Sequence, residues 1–68
     1  PDQREKFQWE AWDYIGRCYG ASKRYYEAFL AFDQIERAWA KDKTNPALSE
    51  LTNETAWSRA GALDALLL

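Results

Sequence analysis

Histidine and methionine are absent from this 68-residue chain, and cysteine occurs once. A single thiol cannot form a disulfide within the chain, and without histidine the usual ligands of a tetrahedral zinc site cannot be assembled. A domain this short lies near the lower limit of independent stability, and a disulfide, a metal or a partner commonly stabilises it. We therefore expect no metal and no cofactor, and we expect a protein partner.

An excess of charge of one sign is also lacking. Nine Lys and Arg stand against 11 Asp and Glu, the formal net charge is -2, and the two signs are interspersed. Such a chain has no basic patch for nucleic-acid phosphates and no polybasic strip for anionic lipid. No apolar run approaches the length of a membrane span, and we expect no signal segment. The composition predicts a soluble protein, intracellular or organellar rather than secreted, that binds no nucleic acid.

Strand patterns are missing too, since valine is absent and β-branched residues are few. Apolar residues instead recur at spacings of three and four, the period of an amphipathic helix. They predict helices over about 3–20, 22–41 and 54–68, with a polar linker over 42–53. The predicted fold class is all-α, a single small domain over 1–68 in which a third helix stacks on an antiparallel helical hairpin.

The residues at the predicted boundaries agree with these limits. Gly20 can adopt the left-handed conformation that commonly ends a helix, and Ser22 is a natural N-cap for the second helix. Asn45 precedes Pro46, which favours extended backbone and predicts a stop to any helical continuation. Asn53 is the predicted cap of the third helix.

A short internal repeat links residues 11–16 to residues 56–61: each segment reads Ala-Trp, three residues, then Gly. The sequence here resembles the tetratricopeptide repeat (TPR) family, in which Trp is followed by an aliphatic residue, Gly and Tyr, and later by Ala, an aromatic and Pro. The matching residues are Trp12, Ile15, Gly16, Tyr19, Ala28 and Phe32 in the first copy, and Trp57, Ala60 and Gly61 in the second.

The resemblance implies a packing role for these residues. A small residue at position 16 would let the second helix approach closely, and the large side chains would fill the space around that contact. The chain also departs from the family pattern. Trp12 and Trp57 are 45 residues apart, Ile35 replaces the usual Ala, and Ala40 stands where Pro is expected. The common TPR period is about 34 residues.

Proteins of the TPR family bind other proteins through the concave surface formed by the first helix of each pair. On that resemblance, the predicted partner-binding residues are Trp9, Asp13, Tyr14 and Arg17. Asp13 and Arg17 stand where a carboxylate-binding member would carry Lys and Asn, so that binding mode is not implied. Arg17 could meet an acidic group, but its spacing from Asp13 favours a solvated ion pair.

Aromatic residues are abundant, at 16% of the chain. Trp9, Tyr14 and Tyr26 fall off the main apolar stripes, and such side chains either dock a partner or fill the sides of a thin helical body. Both interpretations stay open.

Catalysis finds little support in these residues. Cys18 lies on the predicted apolar stripe and is expected to be buried and inert, since no histidine can act as its base. Gly16, Gly20 and Gly61 are isolated and form no phosphate-binding loop. We expect a non-enzymatic protein-interaction module, a TPR-like adaptor or scaffold. The alternative is a small accessory subunit of a larger membrane or redox assembly, and self-association through the third helix is a further possibility.

Overall fold

The computed structural model describes residues 3–67, which form three helices and no strand within that range. α1 spans Gln3–Ala21, α2 spans Tyr25–Lys41 and α3 spans Pro46–Leu67. α2 packs along both other helices, whereas α1 and α3 contact each other at few positions. The helices therefore lie side by side with α2 in the middle, and the all-α fold class is confirmed.

The contact between α1 and α2 centres on Gly16. A Cβ atom at this position would lie 2.7 Å from the ring of Phe32, well inside van der Waals contact. The ring is 3% exposed and packs in one buried cluster with Ala28 and Ala62, so its neighbours on α2 and α3 resist its displacement. The close helix approach expected at Gly16 is therefore present, and the bare backbone of α1 sets its distance.

Phe32 also reaches α3, because Ala62 belongs to the same buried cluster. The buried residues of α3 are Leu48, Thr55 and Ala62, which are spaced seven apart and so follow one line along the helix. The buried Thr55 hydroxyl is satisfied locally, since it donates to the Leu51 carbonyl at 3.0 Å. This line of short and medium side chains is the face that α3 presents to α2.

A polar contact beside this core links α3 to α2 through Arg59. Its Nη2 donates to Asp33 Oδ1 at 3.2 Å, and its Nε pairs with Glu36 Oε2 at 2.9 Å. The guanidinium lies over the ring of Phe29, 4.8 Å from the centroid. Asp33 is shared, since it also accepts from Arg37 Nε at 2.8 Å. Because Arg59 is held from three directions, it fixes the register of α3 along α2.

The turn between α1 and α2 differs from the sequence prediction. The left-handed residue is Lys23, with φ of 64°, and no glycine in the described range has positive φ. The amide of Arg24 donates to the Tyr19 carbonyl at 2.9 Å, and that of Lys23 to the Gly20 carbonyl at 3.0 Å. These two bonds form a Schellman motif, which places its left-handed residue three positions after Gly20.

Ser22 is not the N-cap of α2. Its hydroxyl donates to the Cys18 carbonyl at 3.1 Å, so it satisfies an acceptor in the last turn of α1 instead. The N-cap is Arg24, which makes no capping hydrogen bond through its side chain. Its guanidinium pairs with Glu27 and lies over the Tyr19 ring.

The predicted linker over 42–53 is wrong beyond residue 45, because α3 begins at Pro46. Asn45 Oδ1 accepts from the amide of Ala47 at 3.0 Å and from that of Leu48 at 3.4 Å. Proline is favourable in the first turn because its missing N–H would have no partner there. Because α3 begins at Pro46, Asn53 lies inside the helix and is not its N-cap. Residues 1, 2 and 68 of the predicted 1–68 domain lie outside the described residues.

We predict that Gly16→Ala lowers the free energy of unfolding by about 1–2 kcal/mol, because overpacking against the fixed Phe32 ring outweighs the gain in helix propensity. Gly20→Ala is the matched control, since a Cβ there would meet nothing within 4 Å. It should stabilise the chain by up to about 1 kcal/mol. Urea unfolding followed by circular dichroism measures both, and equal stabilisation by the two changes would contradict the assigned contact.

We also predict that Asn45→Ala costs about 1 kcal/mol of stability, because two amides in the first turn of α3 lose their acceptor. Asn53→Ala should be neutral or slightly stabilising, since Asn53 is exposed within the helix. Thermal melts of the two variants beside the parent chain test where α3 begins. A larger loss at position 53 than at position 45 would place the start near residue 53.

Candidate functional site

A groove runs between α1 and α3, with α2 as its floor, and encloses a volume of about 330 Å³. Its lining residues are Gly16, Arg17 and Gly20 from α1, Tyr25, Ala28 and Phe32 from α2, and Ser58, Gly61 and Ala62 from α3. The floor is apolar and aromatic, and apart from Arg17 the walls are formed by small residues. We call this surface the α1/α3 groove.

The groove exists because α2 holds the outer helices apart while their facing residues are small. A Cβ atom at Gly20 or at Gly61 would meet nothing within 4 Å, so the space beside both backbones is open. Gly16 differs from them, because the space beside it is already filled by Phe32. A bound chain could therefore approach the backbone of α1 near Gly20 and that of α3 near Gly61.

The mouth of the groove carries one oriented charge. Arg17 Nε donates to Asp13 Oδ1 at 3.0 Å, one helical turn away on α1. The Arg17 side chain is largely exposed, whereas that of Asp13 is largely covered. The pair is therefore anchored on the Asp13 side, and the other donors of the Arg17 guanidinium face solvent at the groove wall.

The four predicted partner-binding residues do not form one continuous site. Arg17 lines the groove, and Asp13 holds it in place. Tyr14 is 70% exposed and stands one turn before Arg17 on the outer surface of α1. Trp9 is half-buried and lines two other cavities, one against α2 and one against the first half of α3. The structure therefore brings three of the four together and separates Trp9 from them.

The predicted packing residues of the hairpin fall in or beside the core. Ala28 and Phe32 are buried, and Tyr19 packs against their cluster. Trp12 and Ile15 are half-buried along a second cavity between α1 and α2.

The prediction that Trp57 and Gly61 build the fold is wrong. Trp57 is 87% exposed, and Gly61 is exposed with open space beside its Cα. The reason lies in the orientation of α3. Its buried line passes through Thr55, and at about 100° per residue Trp57 points about 200° away from that line.

Cys18 also departs from its predicted position on the apolar stripe. Cys18 is exposed rather than buried. Cys18 is two residues beyond Gly16, so it points to the opposite side of α1 from the Phe32 contact. Residues three and four positions from Ile15 were all assigned to the apolar stripe of α1. This predicted stripe is wider than the part of α1 that α2 covers.

Sequence reasoning missed the groove walls at Ser58 and Ala62 and the contacts of Arg59. Asp33 and Arg59 are 26 residues apart, so no local spacing connects them. The groove walls had a weak signal, because Gly20 and Gly61 are glycines within helical segments and often mark a close approach.

Neither a metal nor a membrane span is indicated within residues 3–67. No group of three or more His, Cys, Asp or Glu in that range is placed to hold a metal ion. No helix in the same range combines the length and apolar character needed to cross a bilayer.

Comparison with known proteins identifies no relative of this chain. Models of protein families, curated proteins and solved structures were each searched, and none of them matches. The resemblance to the TPR family therefore stays a prediction, and the function has to be argued from the groove and from the exposed apolar side chains.

Proposed function

We propose that this chain is a non-catalytic protein-interaction module, a TPR-like adaptor or scaffold that holds a segment of a partner protein in the α1/α3 groove. The observation that carries the proposal is the groove itself, with its apolar floor and its glycine walls. Apolar clefts with a few placed polar groups are the usual binding sites of proteins.

The shape and chemistry of the groove favour a polypeptide as its ligand. Tyr25 offers ring surface to apolar side chains, and the open backbones near Gly20 and Gly61 leave room for a main chain. Arg17 and Ser58 supply polar groups at the walls that can bind carbonyl oxygens. An extended segment with small or medium apolar side chains uses all of these features.

Tyr14 extends the proposed contact surface beyond the groove. It lies three residues before Arg17, so the two side chains are neighbours on α1. An exposed tyrosine combines a large contact area with few rotatable bonds, and tyrosine is enriched among residues that dominate binding energy. Tyr14 is therefore our candidate anchor for the partner where it leaves the groove.

The second candidate function is a small accessory subunit of a larger assembly. It is favoured by the last turns of α3, where Leu63, Leu66 and Leu67 are all exposed. The behaviour of the isolated chain separates the two candidates. An adaptor folds alone and binds peptides, whereas an embedded subunit stays insoluble without its companions.

We predict that peptides selected from a displayed random library bind this chain through the groove. Gly20→Leu should weaken their binding about tenfold or more, because its side chain fills open groove space without disturbing the fold. Ala21→Leu is the matched control, since Ala21 is exposed on the same helix and is not a groove residue. Fluorescence anisotropy with a labelled selected peptide measures both affinities.

Tyr14→Ala should leave the melting temperature unchanged and weaken the same peptides if they extend over α1. The proposal fails if no peptide is selected from a soluble, folded chain, or if Gly20→Leu and Ala21→Leu change the affinity equally. In the second case the peptides bind elsewhere on the molecule.

A further inference from the structure

The side of α3 that points away from α2 carries Trp57, Ala60 and Asp64, and Gly61 lies at the edge of this side, next to the α1/α3 groove. We call these four residues the outer face of α3. These positions are related by spacings of three, four and seven, so they share one side of the helix. All four are exposed, and Trp57 is the most exposed large apolar residue among those described.

Apolar residues extend this face on both sides. Ala56, Leu63 and Leu67 are exposed next to it. The charged residues between positions 56 and 67 are Arg59 and Asp64, and Arg59 is already engaged with α2. A helix segment that is apolar on nearly every side is normally buried on every side, so this half of α3 needs a cover.

The accessible surface area of the chain is larger than that of a compact monomer of its mass. The accessible surface is 5106 Å² for a mass of 7.9 kDa. A compact monomer of that mass exposes about 4,400 Å², so this row of helices exposes about 700 Å² more. A standard stable interface buries about 800 Å² on each partner. The excess, which is summed over the whole surface and includes the α1/α3 groove, is comparable to one partner's share of a standard interface.

We propose that the cover is a second copy of this chain, with the two α3 helices packed antiparallel through their outer faces. The two-fold axis passes between Ala60 and Gly61, which exchanges residue 57 with residue 64. Trp57 of each copy then lies against Asp64 of the other. The proposed contact does not involve α1, but Gly61 also lines the α1/α3 groove, so a dimer and a bound peptide would compete for the space beside Gly61.

The four residues of the outer face are complementary to themselves under this symmetry. Ala60 and Gly61 lie at the axis, where their small size lets the two backbones approach closely. Trp57 supplies the large side chain that fills the space on either side of that contact. The indole N–H of Trp57 can only donate a hydrogen bond, and the Asp64 carboxylate can accept one. Each Trp57–Asp64 pair can therefore form a charge-assisted hydrogen bond.

Charge selects the antiparallel direction. In a parallel pair, Asp64 would face Asp64 across the axis, and Glu54 and Glu50, which lie about one and two turns before Trp57, would also face their own copies. Like charges at such distances repel. The antiparallel arrangement places each Asp64 against an indole instead, and it separates the two copies of Glu54 along the helix axis.

The first test measures the mass of the chain in solution as a function of concentration. Sedimentation equilibrium should show a monomer–dimer equilibrium for the parent chain. Trp57→Ala should raise the dimer dissociation constant about tenfold or more, because it removes the largest side chain of the interface. Tyr14→Ala is the matched control, an exposed aromatic on α1 whose loss should leave the dimer unchanged. Circular dichroism should show both variants to be folded.

The second test measures the direction of pairing with single cysteines in a Cys18→Ser background. Ala60→Cys should form an intermolecular disulfide readily under mild oxidation, because the two positions meet near the axis. Asn53→Cys should not, because its two copies would lie about 22 Å apart along antiparallel helices at 1.5 Å per residue. Equally ready cross-linking at both positions would indicate parallel pairing and overturn the proposal.

A monomer at every concentration would also overturn it, and would assign the outer face to a different protein or to another part of a longer chain. A dimer that Trp57→Ala leaves intact would place the interface elsewhere. Both results can be told apart from failure of the peptide function, which is measured on the groove variants Gly20→Leu and Ala21→Leu.

Discussion

The ring of Phe32 against the bare backbone of Gly16 is the contact on which the arrangement of helices depends. A Cβ at Gly16 would overlap the ring, so the residue at position 16 must be glycine for α1 to lie at its observed distance from α2. The same ring is in the cluster that includes Ala62, so it also sets the approach of α3. One aromatic side chain thus connects all three helices, and the residues around it are small enough to let each helix reach it. Packing of this density tolerates little change in volume.

The central position of α2 produces both surfaces on which function is proposed. Because α2 lies between α1 and α3, the outer helices scarcely meet, and the space between them becomes the groove. The opposite side of α3 then has no helix of residues 3–67 against it, which leaves Trp57 exposed. With α2 in the middle, less surface is buried between the helices, and both the groove and the outer face of α3 are accessible.

Polar contacts place α3 along α2, while the apolar core alone does not. The buried residues of α3 are Leu48, Thr55 and Ala62, a line that repeats every seven residues, so a slip of α3 by about two turns would bring Thr55 to the place of Ala62. Arg59 prevents such a slip because Asp33, Glu36 and the Phe29 ring bind it together. Each ion pair is partly solvated and contributes modestly to stability, but the three contacts are satisfied simultaneously in one register. The position of Ser58 and Gly61 at the groove wall follows from that register.

Local periodicity was enough to predict the all-α class and the two helices of the hairpin to within a few residues, because helical hydrogen bonds and the spacing of apolar residues are properties of neighbouring positions. The contact at Gly16 was expected from the resemblance to the TPR family. The groove was not predicted, although Arg17 and its pairing with Asp13 were. From the sequence, Pro46 was predicted to end a helix, whereas α3 begins at this residue. Proline is compatible with both the end and the first turn of a helix, and only the capping hydrogen bonds of Asn45 distinguish the two. The buried face of α3 could not be predicted either. Apolar residues lie on nearly every side of its second half, so no local pattern indicates that Ala62 is buried and Trp57 exposed. Which side of such a helix is buried depends on the shape of the neighbouring surface, and here small side chains fit against Phe32 where an indole would not.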